Sequence, residues 1–309
     1  MQTANTRINP SARTAASATR FGLSCALATP FRADGACDIP LLVAHARSRL
    51  AAGCASVTLF GTTGEGASVG NVARRAIFAA RAQDGFDLTQ HAVVGIAASA
   101  AADAVAQIRD AAAAGVRRVL LPPPFYFKGV RGAGLHAWFH AVLRDIAGSG
   151  VEVILYHIPS VTAVPLPIEL IETLATEFPG QVRGVKDSSG DWPYTERLLE
   201  LAGRLVILIG DERHLARGVT LGAEGAISGT ANIFPELLLP LVEAGREDTR
   251  VNRTVDELLR YPVTPAVKTL LAHRSGEPAW CRVAPPLAPL AESEAKTLIA
   301  AYDAIVGAP

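Results

Sequence analysis

The chain has 309 residues, of which 50% are hydrophobic and 19% are charged, so it can bury the core of one large domain or of two smaller ones. Its 29 basic and 29 acidic residues balance, which excludes the strong positive charge typical of nucleic-acid and anionic-membrane binders. No apolar run approaches the roughly 20 residues that span a bilayer, and the spacing of the four cysteines, Cys25, Cys37, Cys54 and Cys281, indicates neither a metal site nor a disulfide framework.

The N-terminal segment, residues 1–20, contains Arg, Ser, Thr and Ala but no acidic residue. This composition is typical of a disordered tail, and transit peptides share it. We predict a disordered tail over residues 1–20, with a targeting segment as the alternative. Because the four cysteines indicate no disulfide framework, we expect a reducing, cytoplasmic location.

From residue 21, short runs rich in β-branched residues alternate with longer segments rich in Ala, Leu and Arg. The pattern predicts eight strands, which begin at Leu23, Ser56, Ala92, Arg117, Val151, Val182, Leu205 and Gly225. It also predicts eight intervening helices, over residues 39–52, 72–84, 101–114, 135–148, 167–178, 193–203, 213–222 and 235–245.

Eight strand and helix pairs in about 225 residues have the length and order of an α/β fold, the (β/α)8 TIM barrel. A doubly wound open sheet is the alternative. After residue 246 only helical segments follow, over 251–261, 265–273 and 292–305. We therefore predict a catalytic barrel over residues 21–246 and a C-terminal helical extension over residues 247–309.

Polar residues fall where the predicted strands end, which is where barrel enzymes place their active sites. The motif "GTTGEG" follows the second strand, "PPPFYF" the fourth and "GDE" the seventh, while Tyr156, Lys186 and Ser228 end the fifth, sixth and eighth strands. This coincidence predicts an active site at the carboxyl end of the barrel.

Lys186, in "GVKDSSGD", is one of only four lysines and ends an apolar strand. Burial disfavours the charged form of an amine, so a lysine in this position is costly unless it is neutral or paired. A neutral lysine amine can attack a ketone and form a protonated Schiff base, which then acts as an electron sink. We therefore expect Lys186 to be a nucleophile.

Two further groups fit this chemistry. Tyr156 ends the neighbouring strand and can relay protons to the lysine nitrogen, or its hydroxyl can simply bond to the backbone. The "GTTGEG" motif can hold a carboxylate through backbone N–H groups and Thr62 or Thr63, or it can be an ordinary turn. Its glycine spacing matches neither a dinucleotide fingerprint nor a P-loop.

Seven motifs follow one another along the chain: "GTTGEGASV", "PPPFYF", "LYHIPSVTAVPL", "GVKDSSGD", "GDERHLARGVTLGAEGAISGTAN", "PAVKTLL" and "VAPPLAPL". In their order and spacing they resemble the dihydrodipicolinate synthase and N-acetylneuraminate lyase family. The resemblance covers essentially the whole chain from residue 21. It implies a class I, Schiff-base barrel enzyme without metal or cofactor, which acts on pyruvate or another 2-keto acid. It also implies a homotetramer built from two tight dimers.

The resemblance implies a role for each matching position. Lys186 forms the Schiff base with Tyr156 beside it, Thr62 belongs to the proton relay, Thr63 holds the keto-acid carboxylate and Ile227 offers a backbone contact. Tyr126 matches a tyrosine that the family inserts from the neighbouring subunit, so dimerisation would complete the site.

The remaining predicted substrate-binding residues are Ser188, Gly210, Asp211 and Glu212, and the two acids would accept hydrogen bonds from substrate hydroxyls. Val161 stands where true dihydrodipicolinate synthases carry an arginine that binds the aldehyde's carboxylate. An apolar side chain cannot replace a bidentate guanidinium, so Val161 argues against the dihydrodipicolinate synthase reaction.

The segment around these positions also departs from the neuraminate lyases. Gly229 and Ser188 replace a serine and a threonine of those lyases, and Ala163 replaces a glycine usual in the family. We infer a polyhydroxy keto acid smaller than sialic acid as the substrate.

Other ionisable residues have ordinary interpretations. We expect His157 to be a packed or backbone-bonded histidine, and Asp187 and Asp191 to be turn and helix-cap acids. Lys268 and Lys296 fall on predicted helices, and we expect both to be solvated.

Four functions remain open. The first is a lyase that cleaves a 2-keto-3-deoxy sugar acid to pyruvate and an aldehyde, and the second is a dehydratase that expels the β-hydroxyl from the same iminium. The third is a true 4-hydroxy-tetrahydrodipicolinate synthase despite Val161. The fourth is a non-catalytic ligand-binding barrel, which the joint presence of Lys186, Tyr156 and Thr62 disfavours.

Overall fold

A computed structural model describes residues 20–83 and 87–308. The predicted N-terminal tail lies outside the described residues apart from Arg20, as does Asp84, the predicted end of the second helix.

Eight parallel strands form a closed barrel in sequence order, because β1 pairs with both β2 and β8. The strands are β1 (Gly22–Ala26), β2 (Ser56–Leu59), β3 (Ala92–Gly95), β4 (Arg118–Leu121), β5 (Glu152–His157), β6 (Val182–Asp187), β7 (Val206–Ile209) and β8 (Gly225–Ser228). The barrel prediction is confirmed and the open-sheet alternative is wrong.

Helices separate successive strands, as predicted. They are α1 (Ile39–Ala51), α2 (Asn71–Gln83), α3 (Leu88–His91), α4 (Ala101–Ala113), α5 (Gly132–Asp145), α6 (Pro159–Thr162), α7 (Ile168–Glu177), α8 (Trp192–Leu199), α9 (Leu215–Thr220) and α10 (Pro235–Ala244). The extension contains α11 (Thr249–Leu258), α12 (Val263–Ser275) and α13 (Glu292–Val306).

The sequence did not predict α3 and α6, because a single turn is too short for a 3.6-residue period to show. It also predicted one continuous helix over 213–222. In the structure, a 3₁₀ turn at Glu212–His214 precedes α9, and the side chain of Asp211 accepts a hydrogen bond from the backbone N–H of Arg213. A side-chain acceptor at this position favours a separate tight turn before the helix.

Local chemistry explains where several helices begin. Asp38 caps α1 by accepting a hydrogen bond from the backbone N–H of Leu41, and Pro40 lies in the first turn, where its missing N–H costs nothing. Asp248 caps α11 in the same way, through the N–H of Arg250. None of the helices in the described ranges is both long and apolar enough to cross a membrane.

The barrel interior and the layer between barrel and helices are two separate apolar clusters. The interior cluster comprises Ala26, Val93, Leu120, Ile154, Tyr156, Ile158, Leu208 and Ile227. In the β5–β6 pairing, Tyr156 is the partner of Lys186 and His157 is the partner of Asp187. Because side chains alternate along a strand, the first pair faces the interior and the second faces the helices.

Candidate active site

Lys186 and Tyr156 meet at the carboxyl end of the barrel. The Lys186 Nζ donates a hydrogen bond to the Tyr156 hydroxyl at 3.3 Å and lies 4.5 Å from the centre of its ring. Lys186 is 6% exposed and Tyr156 is 5% exposed. The structure therefore brings the predicted nucleophile and the predicted proton relay into direct contact in a buried position.

Thr62 extends this contact into a chain of three polar side chains. Its Oγ1 lies 3.3 Å from the Tyr156 hydroxyl oxygen, and either atom can be the donor. Thr62 belongs to the threonine loop, which we define as residues 61–68 after β2. Thr63, next in this loop, points its hydroxyl toward the end of β8, where a Cβ on Gly229 would lie 3.0 Å from its Oγ1.

The glycines of the threonine loop have a packing role. A Cβ on Gly66 would lie 1.9 Å from the carbonyl oxygen of Phe60, which no side chain can tolerate. The backbone N–H groups of Glu65 and Gly66 bond within the loop, to the carbonyls of Thr62 and Gly61. Because these two N–H groups already bond within the loop, they are not free to bind a substrate carboxylate. Carboxylate binding by the rest of the loop stays a prediction.

Gly210 and Ser188 lie beside the lysine side chain. A Cβ on Gly210 would lie 2.9 Å from the Lys186 Cε and 1.9 Å from the Ser188 Oγ, so only glycine leaves room for the lysine side chain. The backbone of the same region is held by two hydrogen bonds, from Gly210 N–H to Asp187 and from Ser188 N–H to His157. Ile227 belongs to the interior cluster, beside Tyr156.

Asp211 and Glu212 are engaged by the protein itself. Both oxygens of Asp211 accept hydrogen bonds from the guanidinium of Arg213, at 3.0 and 2.7 Å. Burial raises the pKa of Asp211 but the bonds and charge of Arg213 lower it more, so its pKa lies below the ordinary value. The Glu212 Oε1 accepts from the hydroxyls of Ser228 and Thr230, at 2.6 and 2.9 Å.

Tyr126 lies outside the hydrogen-bonded chain of Lys186, Tyr156 and Thr62. It is 73% exposed and packs edge-on against Phe127, which is 72% exposed. Lys128 holds the same loop to α6 by donating to the backbone carbonyls of Phe125 and Thr162.

His157 and Asp187 form a buried pair directly behind the site. The His157 Nδ1 lies 3.0 Å from one Asp187 oxygen, and the Thr195 hydroxyl donates to the other at 2.6 Å. Burial raises the pKa of Asp187, whereas the bonds from His157, Thr195 and Ser189 lower it, and the net shift is downward. Asp187 also accepts the backbone N–H of Ser189 at 3.0 Å, as expected of a turn acid. The sequence did not predict that the same carboxylate links β6 to β5 and α8 inside the protein.

The prediction for Lys268 is also wrong. Its side chain is fully buried and its Nζ lies 2.5 Å from Glu65 Oε1, because α12 is covered on nearly all sides and its Thr264 and Lys268 side chains face the threonine loop. Lys296 is exposed as predicted and pairs with Glu292 on the solvent face of α13.

Ala163, which replaces a glycine usual in the family, follows α6 in the left-handed region with φ 53°. This backbone conformation explains why a glycine is favoured at the position.

In the described ranges, no three or more His, Cys, Asp or Glu side chains are grouped closely enough to hold a metal ion.

A cavity of about 580 Å³ opens beside the site. Tyr156 and Thr62 form part of its wall, and Val161, which is 58% exposed, lies on its rim. Seven lining residues carry hydroxyl groups: Thr62, Ser68, Tyr156, Ser160, Thr162, Tyr261 and Thr264. Among the described lining residues the only charged side chain is Glu65, which is paired with Lys268.

A closed eight-stranded barrel, with a buried lysine against a tyrosine where the strands end, is the architecture of a class I aldolase-type lyase. The model of the Dihydrodipicolinate synthetase family matches residues 20–305. The chain therefore belongs to the dihydrodipicolinate synthase family, and it is a lyase.

Individual relatives agree with this assignment. An uncharacterized DapA-like lyase of Chloroflexus aurantiacus is 34% identical over 92% of this chain and 97% of its own length. The crystal structure of dihydrodipicolinate synthase from Agrobacterium tumefaciens is 48% identical, covers 93% of this chain and 100% of its own, and has a TM-score of 0.91. A prophage protein of the same family from E. coli, solved in complex with pyruvate, is 24% identical over 92% of this chain and 98% of its own, with a TM-score of 0.82.

Proposed function

We propose that the chain is a Schiff-base lyase that cleaves a 2-keto-3-deoxy sugar acid to pyruvate and an aldehyde. The observation that carries this proposal is the 3.3 Å contact between Lys186 Nζ and the hydroxyl of Tyr156. A buried amine that is bonded to a phenol in the wall of a cavity is placed to attack a ketone and to exchange protons with the product.

The reaction begins when the Lys186 nitrogen attacks the C2 carbonyl of the keto acid. The oxygen leaves as water, and the nitrogen and C2 remain joined as a protonated imine. Tyr156 donates to and accepts from this centre, and Thr62, 3.3 Å from the phenol oxygen, passes the proton onward.

Carbon–carbon cleavage follows from the iminium. Loss of the proton from the C4 hydroxyl forms the aldehyde carbonyl, and the electrons of the C3–C4 bond move into the iminium to form an enamine. Protonation at C3 and addition of one water then release pyruvate and regenerate the amine. The steps run in reverse for condensation.

The keto-acid carboxylate would lie between the threonine loop and the end of β8. Thr63 points toward Gly229 in this region, and Ile227 lies one residue before the end of β8. Gly210 and Ser188 would border the same end of the substrate, since both touch the Lys186 side chain or its immediate surroundings. A relative of the same family is known in complex with pyruvate, which supports a 2-keto acid as the ligand.

The cavity favours an uncharged, hydroxyl-bearing second half of the substrate. Most of its wall is apolar, and the described lining residues include no arginine or lysine to neutralise a second carboxylate. The hydroxyls of Ser68, Thr162 and Thr264 already donate to backbone carbonyls, so those of Ser160 and Tyr261 are the ones available to bond to sugar hydroxyls. Asp211 and Glu212 would contribute to hydroxyl binding only through lone pairs that Arg213, Ser228 and Thr230 leave free.

A true 4-hydroxy-tetrahydrodipicolinate synthase is the second candidate, because the 48% identical structure from A. tumefaciens carries the name dihydrodipicolinate synthase. That reaction condenses pyruvate with an aldehyde that bears a carboxylate. Val161 on the cavity rim offers no charge to bind it.

Tyr126 would complete the site from a neighbouring subunit. Together with Phe127 it presents two adjacent exposed aromatic rings, a composition enriched at protein interfaces. We propose a homotetramer of two tight dimers in which this loop enters the partner's active site.

The test is borohydride trapping with pyruvate and a panel of 2-keto-3-deoxy sugar acids, read by mass spectrometry. Pyruvate should add its mass less one oxygen to the wild-type chain, and Lys186→Ala should add nothing. Release of pyruvate from a keto-deoxy acid supports the lyase, whereas a dioxo or semialdehyde product without pyruvate supports a dehydratase. A wild-type chain that gains no mass would be a binding protein.

A further inference from the structure

The C-terminal extension reaches the threonine loop at four points. Two come from α12, through Thr264 and Lys268, and two come from the segment after it, through Ala284 and Pro285. The loop carries Thr62 and Thr63, on which the proposed proton relay and carboxylate binding depend. The extension therefore forms the support behind these two side chains.

The strongest of the four contacts is a fully buried ion pair. The Lys268 Nζ lies 2.5 Å from Glu65 Oε1 and donates to the carbonyl of Thr29 at 2.9 Å, and both charged side chains are 0% exposed. The amine also lies 4.7 Å from the centre of the Phe31 ring. Burial lowers the pKa of Lys268, although the charge of Glu65 opposes this shift.

The second oxygen of Glu65 is bonded as well. It accepts the backbone N–H of Ala284 at 2.6 Å, so one carboxylate ties both α12 and the following segment to the loop. The Thr264 hydroxyl donates to the carbonyl of Thr62 at 3.4 Å. Thr264 and Lys268 are four residues apart and therefore lie on one face of α12, toward the loop.

The backbone at Glu65 requires this support. Its φ of 52° and ψ of 35° lie in the left-handed region, which a residue with a Cβ rarely occupies. Such a conformation persists only where the surrounding structure holds it. Because the N–H of Glu65 bonds to the carbonyl of Thr62, a change of backbone at Glu65 would move Thr62.

We propose that Glu65 and Lys268 are positioning residues that, from outside the active site, hold Thr62 at its distance from the Tyr156 hydroxyl. This inference depends on the proposed function, since it concerns the proton relay of the same site. It makes the C-terminal extension part of the catalytic machinery.

The test uses pyruvate alone, because proton exchange needs no second substrate. Once pyruvate is joined to Lys186, loss of a methyl proton gives the enamine, and reprotonation in D₂O places deuterium on that carbon. NMR measures the rate of this exchange, and borohydride trapping separately measures imine formation.

The decisive variant is the double substitution Glu65→Gln and Lys268→Met, which removes both charges and leaves no unpaired buried ion. Its matched control is Lys296→Met, because Lys296 forms an exposed ion pair on α13. We expect the double variant to fold and to form the trapped adduct, with exchange slowed about tenfold to a hundredfold, as expected when a catalytic group is misplaced by about 1 Å. The control should exchange at the wild-type rate.

A second comparison avoids the buried charges. Thr264→Val removes the hydroxyl that reaches Thr62, whereas Thr269→Val removes a buried hydroxyl on the same helix that bonds only to its own helix, at the carbonyl of Pro265. At equal thermal stability, Thr264→Val should slow deuterium exchange several-fold more than Thr269→Val does. If the double variant does not fold, this comparison tests the positioning role in its place.

If the folded double variant exchanges deuterium at the wild-type rate, the positioning role is overturned and the proposed function is left intact. If the double variant does not fold, a wild-type exchange rate in Thr264→Val has the same meaning. A loss of the final yield of trapped adduct at saturating pyruvate, together with a loss of exchange, also overturns it. A misplaced relay slows imine formation without changing its final yield, so that result indicates general damage to the site. A wild-type chain that neither traps nor exchanges pyruvate overturns the proposed function itself, and this inference with it.

Discussion

The Tyr156 hydroxyl oxygen lies 3.3 Å from the Lys186 nitrogen, and the two residues are direct partners across strands β5 and β6. Two neighbouring strands of a barrel whose register is fixed by pairing are a rigid support for a catalytic contact. The relationship makes the contribution of the phenol measurable by removing a single oxygen atom.

Tyr156→Phe should lower kcat for pyruvate release by about 10² to 10⁴, the range expected when a general acid or base is lost. The matched control is Tyr194→Phe, since the Tyr194 hydroxyl bonds to the carbonyl of Leu166 rather than to the lysine. Steady-state kinetics of both variants checks the prediction. Equal activity of Tyr156→Phe and wild type would show that the phenol takes no part in proton transfer.

Val161→Arg should shift substrate preference toward an aldehyde with a carboxylate. The guanidinium would supply the positive charge that the described lining residues of the cavity lack. The ratio of kcat/KM for aspartate semialdehyde and for a neutral aldehyde, each condensed with pyruvate, measures the shift. Val263→Arg, at a second exposed valine of the same cavity, is the control. If both arginines change the ratio equally, the position of the charge does not matter.

Gly210→Ala should slow imine formation at Lys186. The new Cβ would lie 2.9 Å from the Lys186 Cε and 1.9 Å from the Ser188 Oγ, so the lysine side chain must move. The rate of borohydride trapping with pyruvate reports this directly. Gly70→Ala, where the new Cβ meets nothing within 4 Å, should trap at the wild-type rate. Unaltered trapping by Gly210→Ala would mean that the backbone yields without disturbing the amine.

Lys268→Met should destabilise the protein by about 3–5 kcal/mol, because it leaves the carboxylate of Glu65 buried without its partner. Adding Glu65→Gln should restore most of that free energy of unfolding. Lys296→Met should change it by less than about 0.5 kcal/mol, since surface pairs contribute little. Denaturant unfolding measures all three. Equal effects at positions 268 and 296 would contradict the buried pair.

Asp187 should make the protein acid-sensitive. Its pKa in the folded state lies below the ordinary value of 3.8, so its ionised form stabilises the fold above pH 3.8. This contribution is lost as the pH falls through the folded pKa. The thermal midpoint of the wild type should therefore drop below about pH 4. Asp187→Asn should be less stable at neutral pH and show a shallower drop. Asp191→Asn, which changes an exposed acid, is the control and should follow the wild-type curve. If the thermal midpoint of Asp187→Asn falls as steeply in acid as that of the wild type, the acid sensitivity belongs to other groups.

The architecture and the central contact could be predicted from sequence because both depend on local patterns. Apolar runs of strand length alternating with helix-length segments identified every strand start within one residue. Strand ends in a parallel barrel share one rim, so Lys186 and Tyr156 at the ends of adjacent strands had to lie near each other.

Tertiary structure alone decided what the remaining charged residues do. Lys268 and Glu65 are 203 positions apart, on a helix of the extension and in a loop after the second strand, so no periodic pattern pairs them. Sequence reasoning placed Lys268 in water because a lysine on a helix is usually exposed, and a single residue type cannot reveal that α12 is enclosed. Periodicity reports how one element divides between core and solvent, whereas a buried charge is stabilised by a partner that only the closed fold brings to it.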